Sequence, residues 1–185
     1  MAEFILESPF TQDFSKIHIG DTVYISGYIY TGRDAAHKRL YELILNGKPL
    51  PVDFKNQCIY YTGPCPKKPE SIIGPCGPTT SGRMDKYTPS LLDLGLKVMI
   101  GKGYRSDDVI KSIIKNKCLY LSATGGAGAL ISKCVKKADV IAFPELGAEA
   151  IYRLYVERFP TVVSIDSYGK NLYVEGVKKY RELYY

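Results

Sequence analysis

The chain is poor in the residues from which proteins build metal centres and disulfide frameworks. It has two histidines, His18 and His37, and five cysteines, Cys58, Cys65, Cys76, Cys118 and Cys134. The cysteines are odd in number, widely spaced and without a C-x-x-C pair, so neither a disulfide framework nor a zinc site is indicated, and each reads as a small buried hydrophobe. No window approaches the roughly 20 uninterrupted apolar residues of a membrane span. The opening MAEFILESPF lacks the basic start and long apolar core of a signal peptide, and a cytoplasmic chain is expected. Long basic runs are also missing. The longest are the pairs Lys67-Lys68 and Lys136-Lys137, although the net charge is +6. Nucleic-acid binders concentrate charge in a stripe with aromatic platforms, whereas cations placed singly beside glycines suit a compact anion.

What is present is enough for one core. With 185 residues, 45% hydrophobic and 24% charged, and no internal repeat or low-complexity linker, the chain reads as a single domain over 1–185. Strand and helix patterns interleave, which predicts an α/β layer architecture. In TVYISGYIY, Val23, Ile25 and Ile29 alternate with more polar neighbours as in a half-buried strand. Asp34 then stands as the expected N-cap of a helix that carries Ala36, Leu40, Leu43 and Ile44 and closes at Gly47. His37, one turn into that helix, is read as orienting Asp34. Cys58–Tyr61 and Ile72–Ile73 read as short strands, and Thr88-Pro89 as an N-cap with proline at the first helical position. Lys97–Ile100, Leu119–Ala123 and Ala138–Phe143 read as further strands, Val109 to Ile114 as a helix face, and the basic, tyrosine-rich tail as a last helix.

Three loops deliver a cation at the end of an apolar strand: Arg33 in TGRDAAHKR, Arg83 in IIGPCGPTTSGRMD and Lys102 in GKG. Strand ends of open α/β sheets tend to face one crevice, so cations distant in sequence are expected to converge. Two guanidinium forks and an ammonium match a small dicarboxylate, each fork able to take a carboxylate at two points. A fourth glycine-rich loop, TGGAGA, has neither the lysine of a P-loop nor G-x-G-x-x-G spacing, so it does not indicate a nucleotide.

SGYIYTGRDAAHKRL, IYYTGPCPKKP, IGPCGPTTSGRMDKYTP, MIGKG and FPELGAEAIYRLYVERFP, in this order, resemble the beta subunit of class I, iron–sulphur-dependent fumarate hydratases, equivalent to the C-terminal domain of single-chain members. The resemblance covers nearly the whole chain. It implies a three-layer swivelling β/β/α domain. It also implies an alpha-subunit partner whose three cysteines hold a [4Fe–4S] cluster, so that this chain supplies no metal ligands. The open iron would bind the hydroxyl and a carboxylate of malate as a Lewis acid. By the same resemblance Arg33 and Arg83 hold the substrate carboxylates, Lys102 adds positive charge, and the segment Thr79, Thr80, Ser81, Gly82, Arg83 wraps the substrate. Thr79 matches the threonine assigned to proton transfer at C3. The implied activity is reversible hydration of fumarate to (S)-malate by an alpha2-beta2 assembly. The alternatives are the beta subunit of an L(+)-tartrate dehydratase and a non-catalytic anion-binding scaffold. Ala148 stands where family members often have methionine, a departure expected to affect packing or the subunit contact.

Overall fold

A computed structural model describes residues 1–184. In chain order the elements are β1 (Glu3–Glu7), β2 (Thr22–Thr31), α1 (Asp34–Leu45), β3 (Cys58–Tyr60), a 3-10 turn (Ser81–Met84), α2 (Thr88–Asp93) and β4 (Val98–Gly101). They continue with α3 (Asp107–Asn116), β5 (Leu119–Ser122), α4 (Gly128–Ser132), β6 (Val135–Ala142), a second 3-10 segment (Pro144–Glu149), β7 (Ile151–Ile165) and α5 (Leu172–Tyr184). The mixed α/β class expected from the interleaved patterns is what the chain forms, and the tail forms the expected last helix.

Strands β2, β3, β4 and β5 run parallel, in that order across the sheet. β7 then lies antiparallel to β5 on one side and to β2 on the other, so the sheet closes on itself. β1 extends it beside β2, and β6 beside β7. Closure needs sharp local bends. One is the register shift between Ile25 and Gly27, and another is Arg158, at φ 47°, whose N–H donates to Ser26 Oγ at 3.1 Å. Pro160, partner of Tyr24, lies in β7 beyond the stretch that pairs β6 (Ile151 to Val156) and before the stretch that pairs β5 (Val162 to Ile165). Its missing N–H therefore costs no ladder bond on that edge.

Side-chain parity divides the core in two. Cys58, Tyr60, Val98, Ile100, Leu119 and Leu121 face the interior of the closed sheet, where they meet Ile25, Ile29, Leu154, Val156 and Phe159. The intervening Ile59, Met99 and Tyr120 face outward onto Leu40 of α1, Leu91 of α2 and Ile113 of α3. The central parallel strands are thus buried on both faces, which is why they read as continuous apolar runs rather than alternating ones. Each fully buried Leu, Ile or Phe contributes roughly 1.5–3 kcal/mol.

Three local expectations are corrected. Ile72–Ile73 is not a strand: both edges of β3 are already taken by β2 and β4, and the run is enclosed by Gly-Pro steps, so it forms a loop that buries Ile73 and exposes Ile72. The N-cap of α1 is Arg33, not Asp34, and neither side chain caps the helix. The N-cap of α2 is Tyr87; Thr88 is already helical, its hydroxyl bonded to the Met84 carbonyl at 3.0 Å, and Pro89 sits in the first turn.

Candidate functional site

Because β2, β3, β4 and β5 are parallel, the loops that follow them open on one edge of the sheet. These loops are Gly32–Asp34, Tyr61–Gly63, Lys102–Gly103 and Ala123–Ala127. The segment from Cys76 to Arg83 crosses that edge and is tied to each neighbour in turn. The Cys76 N–H donates to the Gly128 carbonyl at 3.2 Å, Thr62 Oγ1 donates to the Gly77 carbonyl at 2.7 Å, and the Thr79 N–H donates to the Tyr61 carbonyl at 2.8 Å. Thr80 pairs with Lys102 as an isolated parallel bridge, extended by the Ser81 N–H to the Lys102 carbonyl at 2.9 Å.

Two of the three anticipated cations meet on one carboxylate. Arg83 Nε donates to Asp34 Oδ1 at 2.9 Å, and its Nη2 lies 2.8 Å from Oδ2 as an ion pair without a hydrogen bond, since Oδ2 is buried with no donor of its own among the described residues. Arg33 Nε lies 3.9 Å from the same Oδ2. Arg33 also lies 3.4 Å through Nη2 from Glu149 Oε1. A Cβ at residue 63 would fall 2.9 Å from Arg33 Nη1 and 3.0 Å from the Ala148 carbonyl oxygen, so glycine there leaves room for the arginine to lie across the loop. Arg33 is a quarter exposed and Arg83 half exposed. Lys102 joins the same edge through its backbone. Its exposed side chain runs beside Gly125 of the TGGAGA loop.

Thr79 is half-buried, Thr80, Gly82 and Arg83 are exposed, and Ser81 is fully buried. Ser81 Oγ accepts the Lys102 N–H at 3.1 Å and lies 2.9 Å from the Tyr120 hydroxyl, so it turns away from the exposed side of its own loop.

Several participants carry no signal in the local sequence. Glu149, at the end of the second 3-10 segment, accepts the Ala35 N–H at 2.9 Å and so satisfies a free donor at the start of α1. Arg105 is buried: Nε donates to Asp85 Oδ1 at 2.7 Å and Nη2 to Thr88 Oγ1 at 2.8 Å, between the rings of Tyr61 and Tyr120. Burial works against that charge, and Tyr61, Asp85 and Tyr120 outweigh it, holding Arg105 above its ordinary value. Ala148 lines an apolar cavity of about 400 Å³ together with Pro64, Ile72 and Tyr152.

His37 does not orient Asp34. It is fully buried, and both its N–H and its Nδ1 engage the Arg33 carbonyl, at 2.9 and 2.8 Å, so it fixes the backbone of the preceding arginine. Burial pulls His37 down to about 4, and the imidazole is neutral at physiological pH. A histidine at 6.5 when unfolded and about 4 when folded contributes stability that is fully present above pH 6.5 and is lost as pH falls through 4. Thermal melts between pH 7.5 and 4 are expected to fall by several degrees in the native chain, with a shallower fall in His37→Gln.

The described cysteines do not fit an iron–sulphur cluster. Cys58, Cys76 and Cys118 are buried and burial pushes their thiols up, the last two to about 12. Among the described residues no three His, Cys, Asp or Glu side chains converge as a metal site. No helix among them is long and apolar enough to cross a membrane.

Loops carrying Arg33, Arg83 and Lys102 gather at the carboxyl edge of parallel strands in a mixed α/β domain, and that edge is the candidate site. The particular kind follows from comparison: residues 3–176 match the family model described as Fumarase C-terminus, and the chain belongs to that family. It is 38% identical over 165 residues to "Fumarate hydratase 2" of Leishmania major, covering 88% of this chain and 29% of that protein. It is 38% identical over 167 residues to "Fumarate hydratase class I, anaerobic" of Escherichia coli, covering 89% of this chain and 30% of that one. Against "Putative L(+)-tartrate dehydratase subunit beta" of Methanocaldococcus jannaschii the identity is 37% over 177 residues, 92% of this chain and 91% of the other. The chain thus spans just under a third of the length of these hydratases and nearly the whole of the tartrate dehydratase subunit.

Proposed function

We propose that this chain is the beta subunit of a two-part iron–sulphur hydro-lyase that interconverts fumarate and (S)-malate, and that it supplies the cations for the substrate carboxylates. The observation that carries this reading is the meeting of Arg33 and Arg83 on the Asp34 carboxylate, at the edge that also carries Lys102, in a chain similar to proteins named fumarate hydratase. Asp34 stands on the guanidinium groups as a substrate carboxylate would. The [4Fe–4S] cluster is assigned to a companion alpha chain, since the cysteines here do not form a ligand set; when bound there it supplies a Lewis-acidic iron for the departing or arriving hydroxyl.

Within this chain, Arg33 and Arg83 hold the substrate carboxylates and Lys102 adds charge. Thr79, Thr80 and Gly82 line the binding segment, and Ser81 anchors it. Loss of the C3 proton from malate builds negative charge on the adjacent carboxylate, and fixed cations aimed at it lower the barrier without reorganisation. Thr79 is assigned the proton transfer at C3. We read the chain as one swivelling β/β/α module over 1–185, a reading supported by the mixed sheet and the helices packed outside β3 to β5. The assembly is a cytoplasmic alpha2-beta2 enzyme.

The L(+)-tartrate reading is favoured by one observation, the nearly complete coverage of a protein named as that subunit. Anaerobic reconstitution with the companion chain, assayed on fumarate and on L-tartrate, separates the two. The expected result is no turnover by the isolated chain and a kcat/KM for fumarate at least about ten-fold above that for tartrate, the discrimination a hydroxyl-sized difference supports in a polar site. Preference for tartrate would replace the substrate and keep the reaction class; no activity with any dicarboxylate would favour a scaffold.

A further inference from the structure

We infer that Tyr120 is a positioning residue: its hydroxyl clamps Ser81 to the Gly103 carbonyl and so holds the segment that carries Thr79 and Arg83 against the ends of β4 and β5. This rests on the site reading above and extends it to a residue outside the cationic loops.

Hydrogen counting fixes the direction of each bond. Tyr120 Oη lies 2.9 Å from Ser81 Oγ and 2.9 Å from the Gly103 carbonyl, and Ser81 Oγ lies 3.1 Å from the Lys102 nitrogen. A carbonyl can only accept, so the Tyr120 hydrogen goes to Gly103. The Lys102 N–H goes to Ser81 Oγ, and the Ser81 hydrogen is left for Tyr120 Oη. Both hydroxyls are then saturated inside the protein, in a place where water is excluded. Ser81 has no hydrogen to offer a ligand, which separates it from its exposed neighbours Thr80 and Gly82.

The surroundings are shaped for this contact. A Cβ on residue 101 would lie 1.9 Å from Ser81 Oγ, so only glycine at the end of β4 admits the serine. The Tyr120 ring is itself held by the Arg105 guanidinium 4.9 Å from its centroid. Arg105 is paired with Asp85, two residues beyond Arg83. The segment is therefore fastened at Thr79 to the Tyr61 carbonyl, at Ser81 to Tyr120, and at Asp85 to Arg105. Arg83 lies midway between the last two fastenings, two residues from each.

Tyr120→Phe keeps the ring and removes the hydroxyl. In hydrogen exchange on the whole chain, amides of 79–85 and 102–103 are expected to exchange about ten-fold faster in this variant, with β2 and α3 unchanged. In the reconstituted enzyme kcat/KM for fumarate is expected to fall about ten-fold, but by less than about two-fold when Tyr120→Phe is added to Arg83→Ala, because the clamp then has no guanidinium to place. Unchanged local exchange, unchanged kinetics in the native background, or an undiminished effect on top of Arg83→Ala would each overturn the proposal. If Arg83→Ala itself leaves activity intact, the carboxylate-site reading fails, and the exchange result still decides whether the clamp exists.

Discussion

Arg83→Ala is expected to lower kcat/KM of the reconstituted enzyme by roughly 10²–10³-fold, with most of the loss in kcat, the scale seen when one preorganised donor to a developing anion is removed. The reason lies in the geometry of its resting contact. Arg83 reaches both oxygens of Asp34, with a hydrogen bond to Oδ1 and an ion pair to Oδ2, and a planar fork already placed against one carboxylate can take another. As the C3 proton leaves, charge grows on that carboxylate, so the interaction strengthens toward the transition state and its loss falls on the chemical step. Arg83→Lys restores the charge without the fork and is expected to recover only a small part of the activity. Steady-state assays of the three proteins, with thermal melts confirming that each is folded, give the comparison. Full activity in Arg83→Ala would remove the basis for placing a substrate carboxylate here.

The largest expected effect on folding comes from Asp85→Ala. Arg105 has no exposed side-chain surface, and Asp85 is its only anionic partner among the described contacts. Stranding a buried guanidinium typically costs about 3–5 kcal/mol. In a chain of this size that amounts to a fall of roughly 6–20 °C in the melting midpoint. The Ser106 N–H, which donates to the other Asp85 oxygen, loses its acceptor as well. Replacing the pair together, Asp85→Leu with Arg105→Met, is expected to be much less damaging, because it removes both desolvated charges. Denaturant and thermal unfolding of the single and double variants test this; equal losses would show that the pair matters through shape and not charge.

The parts legible in the sequence were those with local causes. Parallel strands reveal themselves as short apolar runs, and cations beside glycines at their ends reveal the loops, so Arg33 and Arg83 could be named before any contact between them was known. The contact itself could not. Asp34 looked like a cap because the residue opening a helix usually is one, and only the packing of a loop 49 residues away turned its carboxylate toward Arg83. Nothing local in GKGYRSDD marks Arg105 for burial, which depends on Asp85, Tyr61 and Tyr120, brought together from three separate segments. Ser81 and Thr80 are indistinguishable as letters, yet one is inside and the other outside, since the missing side chain at Gly101 is what admits the first. Closure of the sheet was equally invisible, because it rests on the antiparallel pairing of β2 with β7, more than a hundred residues apart.

Pro160 has a bearing on how safely this protein can be stored and expressed. Between the departure of β6 and the arrival of β5, β7 presents a short length of backbone that no neighbouring strand covers on that side. Open backbone of this kind invites recruitment of a strand from another molecule, the first step toward fibrillar aggregates. A residue that cannot donate interrupts that template, so this gap in the ring of strands is guarded by the chemistry of an imino acid.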